Sequence, residues 1–187
     1  MPIAETASTF CETIVKKAAM KNLSKEASLN IVETEISDCA QVIVDILSRY
    51  IFETEVFKQR SDGSISAKGL MNIMLDAQKE AFGDGLDPEF LHPYMWICKP
   101  HYYSADFNFY NFPYAFGLLF AKGLYAKYTE NKTTFPKEYD KLLKLTGTND
   151  LASVTESIGI NIHSIDFWRS SLNIVKEDIN TFLELTN

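Results

Sequence analysis

The sequence is poor in the residues that staple a fold together. Its three cysteines, Cys11, Cys39 and Cys98, are odd in number and widely spaced. That excludes a disulfide framework and a zinc-ribbon pattern, and it points to a reducing compartment. Histidine is equally scarce: His92, His101 and His163 are the only three, no two are four residues apart, and no HExxH occurs. Catalytic zinc takes three protein ligands and an open water position, so these histidines alone cannot compose such a site. There is no GxSxG, no phosphate-cradling Gly-rich loop and no Cys/His nucleophile signature. No apolar run approaches the roughly 18 residues of a membrane span. The opening MPIAETASTF lacks the basic stretch and apolar run of a signal peptide. Basic charge is in deficit, with 18 Lys and Arg against 25 Asp and Glu, a net charge of −7. A nonspecific binder of nucleic acid or anionic membrane needs the opposite sign. The expectation is a soluble, acidic, cytoplasmic globule.

What is present is helix. The 187 residues are 46% hydrophobic, enough for a sizeable core and far from the composition of disorder. Ile3, Ala7, Phe10, Ile14 and Ala18 recur at three and four and predict a helix from Ala4 to about Met20, with Pro2 just before it. A second, unusually long helix is predicted from Ser24 towards Arg60, since nothing between Lys25 and Gln59 is Pro or Gly. A third fits Ser66–Phe82 and ends at a glycine. Pro88, Pro93 and Pro100 exclude one long helix over 86–106. A fourth is predicted over about 107–129, where Pro113 either kinks it or marks its first turn. Shorter helices are expected near 136–146 and 150–158, and a last one from about Ser164 to Leu185. IGINI at 158–162 is ambiguous, and no other segment alternates as a strand. The fold class is therefore all-α, with residues 1–187 read as one helical unit.

Two segments carry candidate chemistry. In AETASTFCE, Glu5, Ser8 and Glu12 are spaced to share one helix face beside an apolar stripe. A carboxylate at such an edge is costly unless it meets a metal, a cation or donors, whereas two solvated glutamates need no partner. In residues 92–117, two of the three histidines and five of the nine tyrosines fall within 26 positions. A Pro-bounded loop running into an aromatic helix can present imidazole and phenol tips to a developing oxyanion, and Tyr110 and Tyr114 are helix-surface neighbours. The same pattern also suits an aromatic core with satisfied hydroxyls. His163 and Trp168 read as packing.

Taken together, AETASTFCE, HPYMW, KPHYYS and FYNFPYAFGLLFAKGLY resemble the C-terminal part of oligoendopeptidase F, a branch of the thimet-oligopeptidase-like zinc metallopeptidases. The later stretch YDKLLKLTGTNDLASVTESIGINIHSIDFW resembles the end of the same family, so the likeness covers essentially the whole chain. The resemblance implies the C-terminal portion of an all-α catalytic domain that cleaves short peptides with zinc. It implies that Glu5 is the third zinc ligand and that Glu12 lies behind it, orienting a histidine ligand. It implies that His101, Tyr110 and Tyr114 bind the scissile carbonyl and its oxyanion, with Tyr103 a further candidate. The family's HExxH helix, which supplies two ligands and the general base, has no counterpart here. The chain is therefore expected to be inactive by itself, a metalloendopeptidase piece needing its missing N-terminal part. The alternative is a non-catalytic helical binding or assembly module from that family, which self-associates or pairs with a complementary chain.

Overall fold

The computed structural model describes residues 3–106 and 108–187, so Pro2, expected before the first helix, and position 107, the expected start of the fourth, lie outside the described residues. Eight α-helices are described: α1 (Thr6–Ala19), α2 (Lys25–Ala40), α3 (Ile46–Asp62), α4 (Ala67–Phe82), α5 (Phe112–Glu130), α6 (Phe135–Leu145), α7 (Leu151–Glu156) and α8 (Ile165–Thr186). No strand occurs among the described residues, and 158–162 forms turns around Gly159. The chain is all-α.

Local chemistry explains most helix ends. Ser66 accepts a hydrogen bond from the Gly69 N–H at the start of α4, and Gly83 closes that helix with φ 56°. Asp150 and Ser164 accept equivalent N-terminal bonds for α7 and α8. Replacing Ser66 with Ala is expected to cost about 1 kcal/mol. The check is a lowered urea midpoint at unchanged m-value.

Two boundaries differ from the sequence reading. The predicted long helix from Ser24 is helical throughout but carries a π-helical turn at Gln41–Asp45, between α2 and α3. There Gln41 donates to Asp45 across 2.6 Å. The fourth helix begins only at Phe112, which puts Pro113 in its first turn rather than at a kink. Proline suits only a helix's first turn, because deeper in its ring clashes with the carbonyl four residues back, and Phe109, at φ 56°, turns the chain left-handed just upstream.

The chain divides into two compact units. One comprises residues up to Ile36 together with Gly117–Asn187, and the other is Ser37–Phe116. In the first, Phe10 of α1 packs on Phe135 and Tyr139 of α6 with ring centroids 5.4 and 4.9 Å apart, and meets Tyr128 edge-on. Phe120, Ala121 and Leu124 of α5 are fully buried. In the second, α3 packs against α4 around Phe52, Ile73, Met74 and Ala77. Met95, Trp96 and Tyr102, from the proline-rich connection, close over that core. Gln78 holds the connection by a two-way clasp on His92, donating to its carbonyl at 2.9 Å and accepting its N–H at 3.0 Å.

Candidate active site

Within the second unit, His101 and Tyr114 come together. His101 sits in a 3-10 turn, Pro100–Tyr102, and Tyr114 in the first turn of α5. The His101 Nε2 and Tyr114 hydroxyl are 3.1 Å apart, and the rings meet edge-on at 5.5 Å. Tyr110 leans on Tyr114 with ring centroids at 5.7 Å. The structure thus brings all three sequence-predicted residues of this segment to one place. Tyr103, the further candidate, is exposed, and its hydroxyl donates to the Trp96 carbonyl at 3.3 Å.

The surroundings of the imidazole favour its neutral form. Burial lowers the His101 pKa below its ordinary value, and the charges of Arg49 and Lys99 lower it further. Its Nδ1 is buried with no hydrogen-bond partner. Tyr114 is 39% exposed and His101 is half-buried, so the pair lies at the surface.

Beneath this pair lies a buried polar chain that the sequence reading did not identify. At the N-cap of α3, Asp45 accepts from the Arg49 guanidinium. Arg49 Nη1 donates to the Asn111 side-chain oxygen at 3.0 Å, and the Asn111 amide donates to Glu53. Burial pushes the Glu53 carboxyl up to about 7, against the opposing effects of Asn111 and Arg49. The Tyr102 hydroxyl, also buried and unpartnered, has its pKa raised by burial and then by the Glu53 charge. A signal was available, because Asp45, Arg49 and Glu53 recur every four residues and share one helix face. Their partner lies 62 positions from Arg49, beyond the reach of local spacing.

In the first unit, Glu5 sits at the N-cap of α1, and its backbone carbonyl accepts from the Ser8 and Thr9 hydroxyls at 2.9 and 3.0 Å. Its side chain is exposed, as is that of Glu12. The Glu12 carboxylate is paired with Lys16 at 2.6 Å, so it meets a cation rather than solvent alone. Among the described residues there is no group of three or more His, Cys, Asp or Glu able to hold a metal ion. No described helix is long and apolar enough to cross a membrane.

Known proteins share this architecture. A crystal structure from Chlamydophila abortus, of a chain assigned as a peptidase, superimposes with a TM-score of 0.88, over 99% of this chain and 31% of that one, at 20% identity. The all-helical fold is thereby shared with a portion of that chain. The chain belongs to peptidase family M3, which residues 1–174 match. Among curated relatives, oligoendopeptidase F (chromosomal) of Lactococcus lactis subsp. cremoris is 24% identical over 98% of this chain and 30% of its own length. An oligoendopeptidase F homolog of Borreliella burgdorferi is 25% identical over 92% of this chain and 29% of its own length. The chain thus spans about three-tenths of the curated relatives it matches.

Proposed function

We propose that this chain is the substrate-side, C-terminal portion of an oligoendopeptidase F-like zinc metalloendopeptidase acting on short peptides. Residues 1–187 are read as one helical piece of that catalytic domain. The observation that carries the proposal is the His101–Tyr114 pair, poised at 3.1 Å on the segment that resembles the family's carbonyl-binding region. With the imidazole neutral and its proton on Nε2, His101 donates to the Tyr114 oxygen. The Tyr114 hydroxyl hydrogen is then free to point at a peptide oxyanion, with Tyr110 packed behind it. That tautomer also leaves the buried Nδ1 as an orphan acceptor rather than an orphan N–H, the less costly of the two. Tyr103 is spent on a main-chain carbonyl and takes no part.

Zinc, when bound in the complete enzyme, would polarise the scissile carbonyl and acidify a water. This chain would offer it one carboxylate, Glu5, from the exposed start of α1, and the remaining ligands would come from outside the chain. Glu12, paired with Lys16, would lie behind Glu5 and help orient a histidine ligand. The chain by itself is accordingly expected to hold no stoichiometric zinc and to turn over no peptide. Metal analysis and a quenched-peptide assay, run on the chain and on Glu5→Ala, check this. Stoichiometric zinc and turnover that vanish in the variant would overturn the reading.

One observation favours an assembly role beside this. Ile165, Leu172, Ile179 and Leu183 lie along one face of α8 and are 61, 44, 41 and 51% exposed. An apolar stripe of that length drives association, so the chain alone is expected to self-associate or to pair with the N-terminal part of the enzyme. Light scattering that reads a strict monomer across the micromolar range would exclude self-association.

A further inference from the structure

We propose that Glu53 and Arg49 act as positioning residues: by clasping the buried Asn111 side chain they fix the turn that sets Tyr114 on His101. The proposal rests on the reading of that pair as the carbonyl-binding side, but its geometry stands apart from any activity. Asn111 is 0% exposed, an unusual station for an asparagine between a loop and a helix. Its side chain is used at both ends, the oxygen accepting from Arg49 and the amide donating to Glu53.

Its backbone is used as well. The Asn111 N–H donates to the Phe109 carbonyl at 3.1 Å, and its own carbonyl accepts the Tyr114 N–H at 3.1 Å, which starts α5. Phe109 in turn donates its N–H to the His101 carbonyl at 2.8 Å. One residue therefore ties the His101 turn to the Tyr114 helix. Phe109 pays for the tie with a left-handed backbone, a conformation that persists only where the surroundings over-determine it. Its ring is pinned by Phe57 at 4.7 Å and Tyr102 at 5.6 Å. Removing the Asn111 clasp would leave that strain with less to hold it.

The groups that face Glu53 are Arg49 on its own helix and Asn111 and Tyr102 on the 100–111 segment, with Asp45 behind Arg49. Arg49 is thus flanked by two carboxylates, one more than its charge balances. A proton on Glu53 near neutral pH restores the balance, and the carboxyl oxygen still accepts from Asn111. The clasp consequently needs the acceptor and not the charge. Glu53→Gln keeps that acceptor, whereas Glu53→Leu fills a similar space without it.

The experiment is heteronuclear NMR of the full chain labelled at histidine, with the His101 imidazole assigned by His101→Gln. In the wild type, His101 is expected to titrate below its ordinary value. Glu53→Gln should leave the His101 shift and titration unchanged, while Glu53→Leu and Asn111→Ala should return both towards those of an exposed histidine. If Asn111→Ala fails to fold, the comparison of Gln with Leu at position 53 decides alone. Equal behaviour of those two variants, whether both shift His101 or neither does, would overturn the proposal. The readout needs neither metal nor peptide, so failure of the peptidase reading would not mimic its failure.

Discussion

Replacing Lys122 with Met is expected to destabilise the first unit by about 3–5 kcal/mol, the usual penalty for stranding a buried carboxylate. Lys122 is 0% exposed in the middle of α5. Its ammonium pairs with Glu35 of α2 and lies 4.0 Å from Asp178 of α8. Lys16 of α1 reaches the same Glu35 at 2.6 Å, and Lys17 pairs with Asp178. With Glu12 also on Lys16, three ammonium groups meet three carboxylates, and four helices share one neutral network. In a chain of this size, the loss of one member should lower the melting temperature by roughly 6–20 °C. The companion variant Lys122→Met/Glu35→Gln leaves two ammonium groups against two carboxylates, Lys16 on Glu12 and Lys17 on Asp178, and should recover much of that loss. If the single and double variants melt alike, the network carries no such energy.

The acid limb of the same experiment has a definite sign. Burial alone would raise the Glu35 pKa, but hydrogen bonds from Lys122 and Lys16, with their charges, overcome it and hold the pKa below 4.5. A depressed carboxylate stabilises the fold above its unfolded pKa, and that contribution is lost as pH falls through the folded value. Stability should therefore decline below about pH 4.5 in the wild type. In Lys122→Met the depression shrinks, so this pH dependence should flatten. Glu35→Gln should flatten it as well.

The helices and the candidate site were legible to different degrees. The apolar spacing of α1 and α8 and the Ser66 and Gly83 ends of α4 are local signals, and the structure repeats them within a residue or two. The π-helical turn at Gln41–Asp45 has no such signal, because no breaker marks it and one extra residue per turn barely disturbs apolar spacing. At Phe109–Phe112 a run of aromatics reads as helix, yet Pro113 and the left-handed Phe109 delay its start. His101, Tyr110 and Tyr114 were legible as residue types crowded together, and the loop closure that joins them is short-range. Asp45, Arg49 and Glu53 share a helix face, but the partner that draws Arg49 and Glu53 into one buried chain, Asn111, lies far along the sequence. For Glu12 the spacing left both a partnered and a solvated carboxylate open, and the structure pairs it with Lys16, which also reaches Glu35.

Gly123→Ala is expected to destabilise the chain by about 1–3 kcal/mol, the typical cost of overpacking, although the same change in an open helix would stabilise it by nearly 1 kcal/mol. Gly123 lies mid-way along α5, where an added Cβ would stand 2.4 Å from Phe167 Cζ, 2.5 Å from its Cε2 and 2.7 Å from the Ser171 oxygen. Those atoms belong to α8, so the glycine lets the two helices approach more closely than any side chain allows. The Phe167 ring cannot simply swing aside. It packs on Phe120 at 5.7 Å and on Trp168 at 5.0 Å, and the Trp168 indole is itself tied to the Ile162 carbonyl at 2.8 Å. Relief must come either from a shift of α8 or from a smaller side chain at 167. Gly123→Ala/Phe167→Leu should accordingly be more stable than the sum of its two single changes predicts, by about 0.5–3 kcal/mol of coupling. Denaturant unfolding of the three variants measures that coupling directly. Strict additivity would mean that the close approach of α5 to α8 is not what fixes the glycine.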